Sequence, residues 1–218
     1  MTKRKASGNP ADSPATPATP AAPGPVPGAA PTADSLAAAA RRAVNKGPAP
    51  VHLWDPPFCG ALDIRIARDG TWFYLGTPIG RPELVKLFSS ILKREGDAFF
   101  LVTPVEKVAI TVDDAPFVAV DFIAEGQGTA QRITFETSLG ETATAGPDHP
   151  IRVTRDPATG EPAPYVEIRA GLEALIDRKS FFRLVDLGVH GEVAGESWFG
   201  LWSNGHFFPV IRSADLPG

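Results

Sequence analysis

Ile64 to Asp69 reads I-R-I-A-R-D, and Ile151 to Asp156 reads I-R-V-T-R-D. The segments downstream of each copy also recur in order: a strand-like run, a Gly-bearing turn, an amphipathic helix, and then G-D-A-F-F-L-V at Gly96–Val102 against G-E-S-W-F-G-L at Gly195–Leu201. Self-similarity at a long period marks duplicated units that pack against each other. The fold class read from this is α+β: an internal repeat of two similar units, 51–146 and 147–218, each a mainly antiparallel sheet with one packed helix.

In the first copy, Ile64–Arg68 alternates and Trp72–Leu75 is aromatic, with Asp69-Gly70 between them, the pattern of a hairpin. Val51–Gly60 before it holds two prolines and a glycine, which suits an extended lead-in. After it, Pro82 fits a first helical position, and Leu84, Leu87, Phe88, Ile91 and Leu92 fall on one face, so a helix is predicted over Glu83–Arg94. The period then falls to two, giving strands in F-F-L-V-T-P, V-E-K-V-A-I-T-V, F-V-A-V-D-F-I and Q-R-I-T-F-E-T. Asp113-Asp114-Ala-Pro reads as a hairpin tip between two of these strands, and Gly146–Pro150 as a crossing point. The second unit then predicts a strand at Tyr165–Arg169, a helix over Leu172–Leu187 stopped by Gly188, and a hairpin on Asn204-Gly205.

The composition splits near residue 50. Residues 1–50 hold ten of the 23 prolines and fifteen alanines, with no aromatic residue. Such a chain buries too little apolar surface to offset ordering, so 1–33 reads as a disordered Ala/Pro-rich tail, and 34–50 as a short helix over Leu36–Lys46 plus linker. These fifty residues carry six basic and two acidic side chains, which leaves 15 basic and 23 acidic, from totals of 21 and 25, in the folded part. An acidic body repels phosphate backbones and argues against a nucleic-acid partner. The single cysteine rules out an intrachain disulfide and suits a reducing compartment. No apolar run reaches the ~20 residues of a membrane span, and the N-terminus lacks a signal-peptide core. A cytoplasmic protein is expected.

No metal finger, phosphate-binding loop or cofactor motif is present, and four scattered histidines with one cysteine give no metal-ligand spacing. The best ligand-binding candidate is the turn T-P-I-G-R-P: Thr77, Gly80 and Arg81 stand at a helix N-terminus, where free N–H groups favour an anion, with Arg65 and Arg68 across the hairpin. Arg169 and Gly171 repeat the idea ahead of the second helix. Other candidates are Cys59, Asp63 and Tyr74. Catalysis by Cys59 requires a base within hydrogen-bond reach, and His52, His149, His190 and His206 have no assignable place there.

The strings P-P-F-C-G-x-L-D-I-R-I-x-R-D-G-T-W-F-Y-x-G-T-P-I-x-R, L-V-T-P-V-E-K-V-x-I-x-V-D-D-A-P and G-L-E-A-L-I-x-R resemble a proteobacterial family of uncharacterised proteins, domain of unknown function twelve-eighty-five. The resemblance covers Val51 to Pro209. It implies two similar α+β units in a bacterial cytoplasmic protein with a signalling or regulatory role, and it supplies no catalytic residues. Three functions stand open: a non-catalytic regulatory module binding a small anionic ligand or a partner protein, an enzyme using Asp63, Arg65, Arg68 and Cys59 around a cleft, and an interaction scaffold presenting Trp198 and Trp202. The oligomeric state is open.

Overall fold

The computed structural model describes residues 31–44 and 48–216. The chain begins with α1, Ala33–Ala43, whose N-cap Thr32 and third residue Ser35 form a reciprocal capping box. Helix α1 buries Leu36, Ala37 and Ala40 in the main core and packs against the second helix, α2, Pro82–Ser90. The folded body therefore includes α1 rather than starting near Val51, and α1 lies three residues earlier than the sequence suggests. Alanines carry too little apolar area to announce burial, yet their small size lets one helix lie close on another. The tail reading for residues 1–30 falls outside the described residues.

The first sheet holds six strands: β1 (Phe58–Ile66), β2 (Trp72–Tyr74), β3 (Thr77–Pro78), β4 (Leu92–Glu95), β5 (Ala98–Val102) and β6 (Lys107–Val112). Their order is β3-β2-β1-β6-β5-β4, with β1 and β6 parallel and every other pair antiparallel. The Asp69-Gly70 hairpin forms as read. Helix α2 starts on Pro82 and ends at Ser90, and the residues read as its last turn are strand β4. Leu92 keeps helical spacing from Phe88, but it pairs with Leu101, and the Ile91 carbonyl accepts Val102 N–H. The ladder outcompetes one more helical turn.

The second sheet also has six strands: β7 (Phe117–Glu125), β8 (Arg132–Thr137), β9 (Thr142–Thr144), β10 (Ile151–Arg155), β11 (Pro162–Arg169) and β12 (Leu172–Ile176). Their order is β10-β11-β12-β7-β8-β9, again with one central parallel pair, β12 on β7. The chain passes between sheets at Asp113–Pro116. Gly146–Pro150, read as the crossing, instead links two strands of the second sheet. Leu172–Ile176 is strand rather than helix, with Leu172, Ala174 and Ile176 buried in alternation. Its residues have helical propensity, and pairing with both neighbours overrides it. Helix α3 is only Arg178–Val185, begun by Asp177, whose side chain accepts Ser180 N–H at 2.7 Å.

A third, three-stranded sheet comes last: β13 (Val189–Val193), β14 (Glu196–Ser203) and β15 (His206–Arg212). The Asn204-Gly205 turn forms as read, with both residues at positive φ. Ser203 is fully buried and pins this hairpin to the second sheet, accepting Ile133 N–H and donating to the Ala145 carbonyl. The protein is thus two similar sheet-rich units, each with a helix, and a small third sheet. The echoed strings do not occupy matching places: Ile64–Ile66 lies in central β1, whereas Ile151–Arg155 is edge strand β10. Gly96–Val102 belongs to the first sheet and Gly195–Leu201 to the third.

Candidate functional site

The crossover between the two large sheets gathers the charged chemistry. Asp113 and Asp114 are not a hairpin tip but the link from β6 to β7, and their carboxylates part, as neighbours in an extended chain must. Asp113 Oδ2 accepts from Arg65 Nη1 at 2.5 Å, and the Arg65 guanidinium lies 4.5 Å over the Phe73 ring. Asp114 Oδ1 accepts the Tyr165 hydroxyl at 2.8 Å. Arg68 Nε stands 3.1 Å from Asp114 Oδ2, a charge pair whose angle makes no hydrogen bond. That oxygen is buried and has no donor.

Behind Tyr165 a second ion pair orders the site. Arg152, directly opposite Tyr165 in the ladder, lays its guanidinium 4.0 Å over the phenol ring. The same guanidinium holds Glu173 through two contacts, Nε–Oε1 at 2.5 Å and Nη2–Oε2 at 2.8 Å. Burial, and then the bond to Asp114, push the Tyr165 phenol above its ordinary pKa, so at neutral pH it keeps its proton and donates a hydrogen bond to the carboxylate. The hydrogen bond to Glu173 raises Arg152 further.

Two adjoining clefts open here. The polar one, about 570 Å³, is bounded by Arg68, Asp113, Asp114, Arg155, Asp156 and Tyr165, with Glu161 and Pro162 at its border. The apolar one, about 290 Å³, shares Arg68, Glu161 and Pro162 and runs over Leu175 and Ile176 to Phe181 and Phe182 of α3. Arg155 Nη1 donates to the Gly160 carbonyl, and Asp156 accepts the Ala158 and Thr159 amides, which lower its pKa.

Of the residues singled out in the sequence, only Arg68 lines both clefts, with Arg65 just behind it. Thr77 on β3, Gly80 and Arg81 are exposed and line neither. Arg81 is the N-cap of α2 without a side-chain capping bond. Asp69 turns to its own loop, accepting Thr71 N–H at 2.9 Å, which lowers its pKa. Tyr74 is half-buried on β2. Cys59 and Asp63 are exposed on β1, with the Cys59 thiol donating to the Pro57 carbonyl at 3.4 Å. Cys59 and Asp63 line neither cleft that Arg68 borders, so the residues of the enzyme reading do not share one pocket.

Arg169 and Gly171 precede a strand, not a helix. Arg169 Nε donates to Glu141 at 2.7 Å and Nη2 to the Ser89 carbonyl at 2.7 Å, clamping the second sheet to α2. Trp198 and Trp202 are half-buried rather than presented: Arg212 covers the first at 5.6 Å and Phe207 tilts on the second at 5.4 Å. Among the described residues no three His, Cys, Asp or Glu side chains converge as a metal group. Sequence reasoning missed Asp114, Tyr165 and Arg152. The available signal was Tyr165 in a strand of otherwise apolar buried residues, where a phenol needs an acceptor.

The family profile described as "Domain of unknown function (DUF1285), N-terminal domain" matches residues 49–115, and "Protein of unknown function (DUF1285), C-terminal domain" matches 116–210. The chain belongs to the DUF1285 family. The junction of the two DUF1285 matches falls at the crossover between β6 and β7, so the N-terminal domain carries the first sheet and the C-terminal domain carries the other two. A solved DUF1285 protein from Silicibacter pomeroyi is 66% identical, with a TM-score of 0.76 over 83% of this chain and 96% of that one. One from Shewanella baltica is 30% identical over 57% and 91%, with a TM-score of 0.46. No curated protein matches. Among the described residues no helix is long and apolar enough to cross a membrane.

Proposed function

We propose that this DUF1285 protein is a non-catalytic binding module with a regulatory role in the cytoplasm, and that the double cleft at Asp114 takes a ligand with a cationic donor and an apolar tail. The observation that carries this is the Asp114 Oδ2 atom, buried and without a donor. The cation beside it, the exposed Arg68 guanidinium, stands 3.1 Å away and out of line for a hydrogen bond, so an aligned ammonium or guanidinium N–H would gain a charge-assisted bond that Arg68 does not make. Around it the polar cleft sets Asp113, Asp114, Asp156 and Glu161 against Arg68 and Arg155, an excess of negative charge. The adjoining pocket offers Leu175, Ile176, Phe181 and Phe182 to a tail.

An anionic ligand draws less support, because Arg65 and Arg68 already face Asp113 and Asp114. Catalysis draws least, since Cys59 has no histidine hydrogen-bonded to it among the described residues. The test is a thermal-shift and calorimetric screen of alkyl- and aryl-amines beside carboxylates of matched length. Amines raise Tm for the wild type and lose the effect in Asp114→Asn. A screen in which only carboxylates bind, or in which Asp114→Asn responds like the wild type, refutes the reading.

A further inference from the structure

We infer that the outer edge of β13 is a self-association surface, on which a second copy of this chain docks antiparallel about a two-fold axis through Gly191. The β13–β14 hairpin turns on Ala194 and Gly195, at φ 52° and 82°, a two-residue turn of type I′. Such a turn makes Val193 and Glu196 the hydrogen-bonded closing pair, so Gly191 and Val189 also bond to β14. His190 and Glu192 then point their N–H and C=O groups away from the sheet. Among the described residues neither takes a backbone partner there.

The other sheet ends are blunted. Strand β3 has two residues and a proline, β9 has three residues, β4 carries Lys93 and Arg94, β10 packs against β15, and β15 contains Pro209. Strand β13 has neither proline nor lysine, and its register has no bulge. Val189, 43% exposed, His190 and Glu192 are all open to solvent.

Reversed against itself, V-H-G-E-V sets an imidazole across from a carboxylate at both ends of the central glycine. With Gly191 facing Gly191, each His190 stands across from the other copy's Glu192, and each Val189 from Val193. The His190–Glu192 pairs are the hydrogen-bonded ones, giving four backbone bonds and two imidazole–carboxylate pairs with Cβ atoms ~5 Å apart. His190 Nδ1 is held by Ser213 Oγ at 2.8 Å, which leaves Nε2 for the glutamate. Gly191 cannot carry a side chain, since a Cβ would meet the Phe207 ring at 2.8 Å, so that face stays flat.

Analytical ultracentrifugation of the full chain from about 1 µM to 1 mM tests this. The expected result is a mass rising from 23.0 kDa toward twice that value. His190→Glu, which sets two carboxylates against Glu192, weakens association about tenfold or more. Adding Glu192→Lys to it sets opposite charges across the axis and recovers association. Circular dichroism checks that both exposed-edge variants stay folded. A wild type that remains at 23.0 kDa throughout, association that His190→Glu leaves unchanged, or a double variant that does not recover each overturns the proposal.

Discussion

Leu36→Ala is the sharpest perturbation of the claim that α1 belongs to the folded core. Leu36 is fully buried and packs with Ala37 and Ala40 in the main cluster, although the sequence places it in a short helix ahead of the folded part. A buried Leu→Ala replacement costs about 2–5 kcal/mol, the lost transfer energy plus the cavity left behind. Because α1 is terminal, the cost cannot exceed the free energy of detaching the helix, so the lower half of that range is expected. At about 2–4 °C per kcal/mol for a body of this size, Tm falls by roughly 5–10 °C. Differential scanning calorimetry beside a melt followed by circular dichroism reads it, with exposed Ala38→Ser as a control that moves stability by less than about 0.5 kcal/mol. Starting the chain at Leu36 removes Thr32, Ser35 and the buried Ala33, and costs about 1–2 kcal/mol in lost capping. If Leu36→Ala melts within a degree of the wild type, α1 does not hold the core together and the folded part begins later, as composition suggests.

Three further outcomes rest on single contacts. Gly200→Ala forces a Cβ to 2.3 Å from the Phe208 carbonyl oxygen, so β14 and β15 must separate; we expect at least about 2 kcal/mol of destabilisation by urea unfolding, and an unchanged midpoint would mean that the hairpin yields freely. Tyr165→Phe removes the hydrogen bond that the phenol donates to Asp114 and costs about 1–3 kcal/mol, whereas a loss confined to ligand binding, with stability intact, would show the pair to be solvated. Asp121 has its pKa lowered by Arg183 and then by Phe122 N–H, so its stabilising contribution is present above the ordinary carboxylate range and fades as pH falls through the lowered value; Asp121→Asn should flatten the acid limb of a Tm–pH profile and leave the neutral plateau closer to the variant's own acid value. Glu106, raised by burial, tilts the same profile the opposite way, which is why the comparison is made against wild type rather than read from one curve.

How far the fold is legible depends on whether neighbouring residues alone decide an element. Asp69-Gly70 announces its hairpin through Gly70 alone, at φ 84°, and Asn204-Gly205 announces its own because only a few residue types tolerate two successive positive φ values. Leu75-Gly76, Ala170-Gly171 and Ala194-Gly195 make turns with the same signs of φ, and nothing in Leu or Ala advertises it; the pull of the flanking ladders imposes the conformation. The L-E-A-L-I strand is the same lesson at larger scale. Its alternation is clear once β7 and β11 are beside it, but in isolation Leu, Glu and Ala favour a helix. Among the site candidates, Arg65 and Arg68 are marked by the hairpin that bears them, while their partners lie far along the chain and are masked by the turn chemistry of D-D-A-P. Long-range pairing is what a linear reading lacks, so neither Asp114 nor Tyr165 stands out until the sheets are assembled, and the turn at Arg81 takes the attention instead.

The covalent link between the first and second sheets is the Asp113–Pro116 stretch, and the two carboxylates on it reach in different directions: Asp113 to Arg65 on β1 of the first sheet, Asp114 to Tyr165 on β11 of the second. Arg68 completes the span, since it extends from the first sheet to Asp114. A cationic ligand donating to Asp114 Oδ2 competes with the Arg68 guanidinium for the same oxygen, and displacing Arg68 weakens one of the ties between the β1–β2 hairpin and the second sheet. The tip of that hairpin rests on β7, where a Cβ on Gly70 would come within 3.1 Å of Val118 Cγ2, so the hairpin has little freedom to shift without being felt there. On the proposed reading, binding energy spent at Asp114 is therefore converted into a change at the seam between the two DUF1285 domains, whereas a ligand at Arg81 would touch only the first. That coupling is reciprocal: Arg68→Ala should tighten amine binding by removing the competitor while loosening the seam, and an Arg68→Ala protein that binds amines more weakly than wild type would place the ligand on the arginine rather than on the carboxylate.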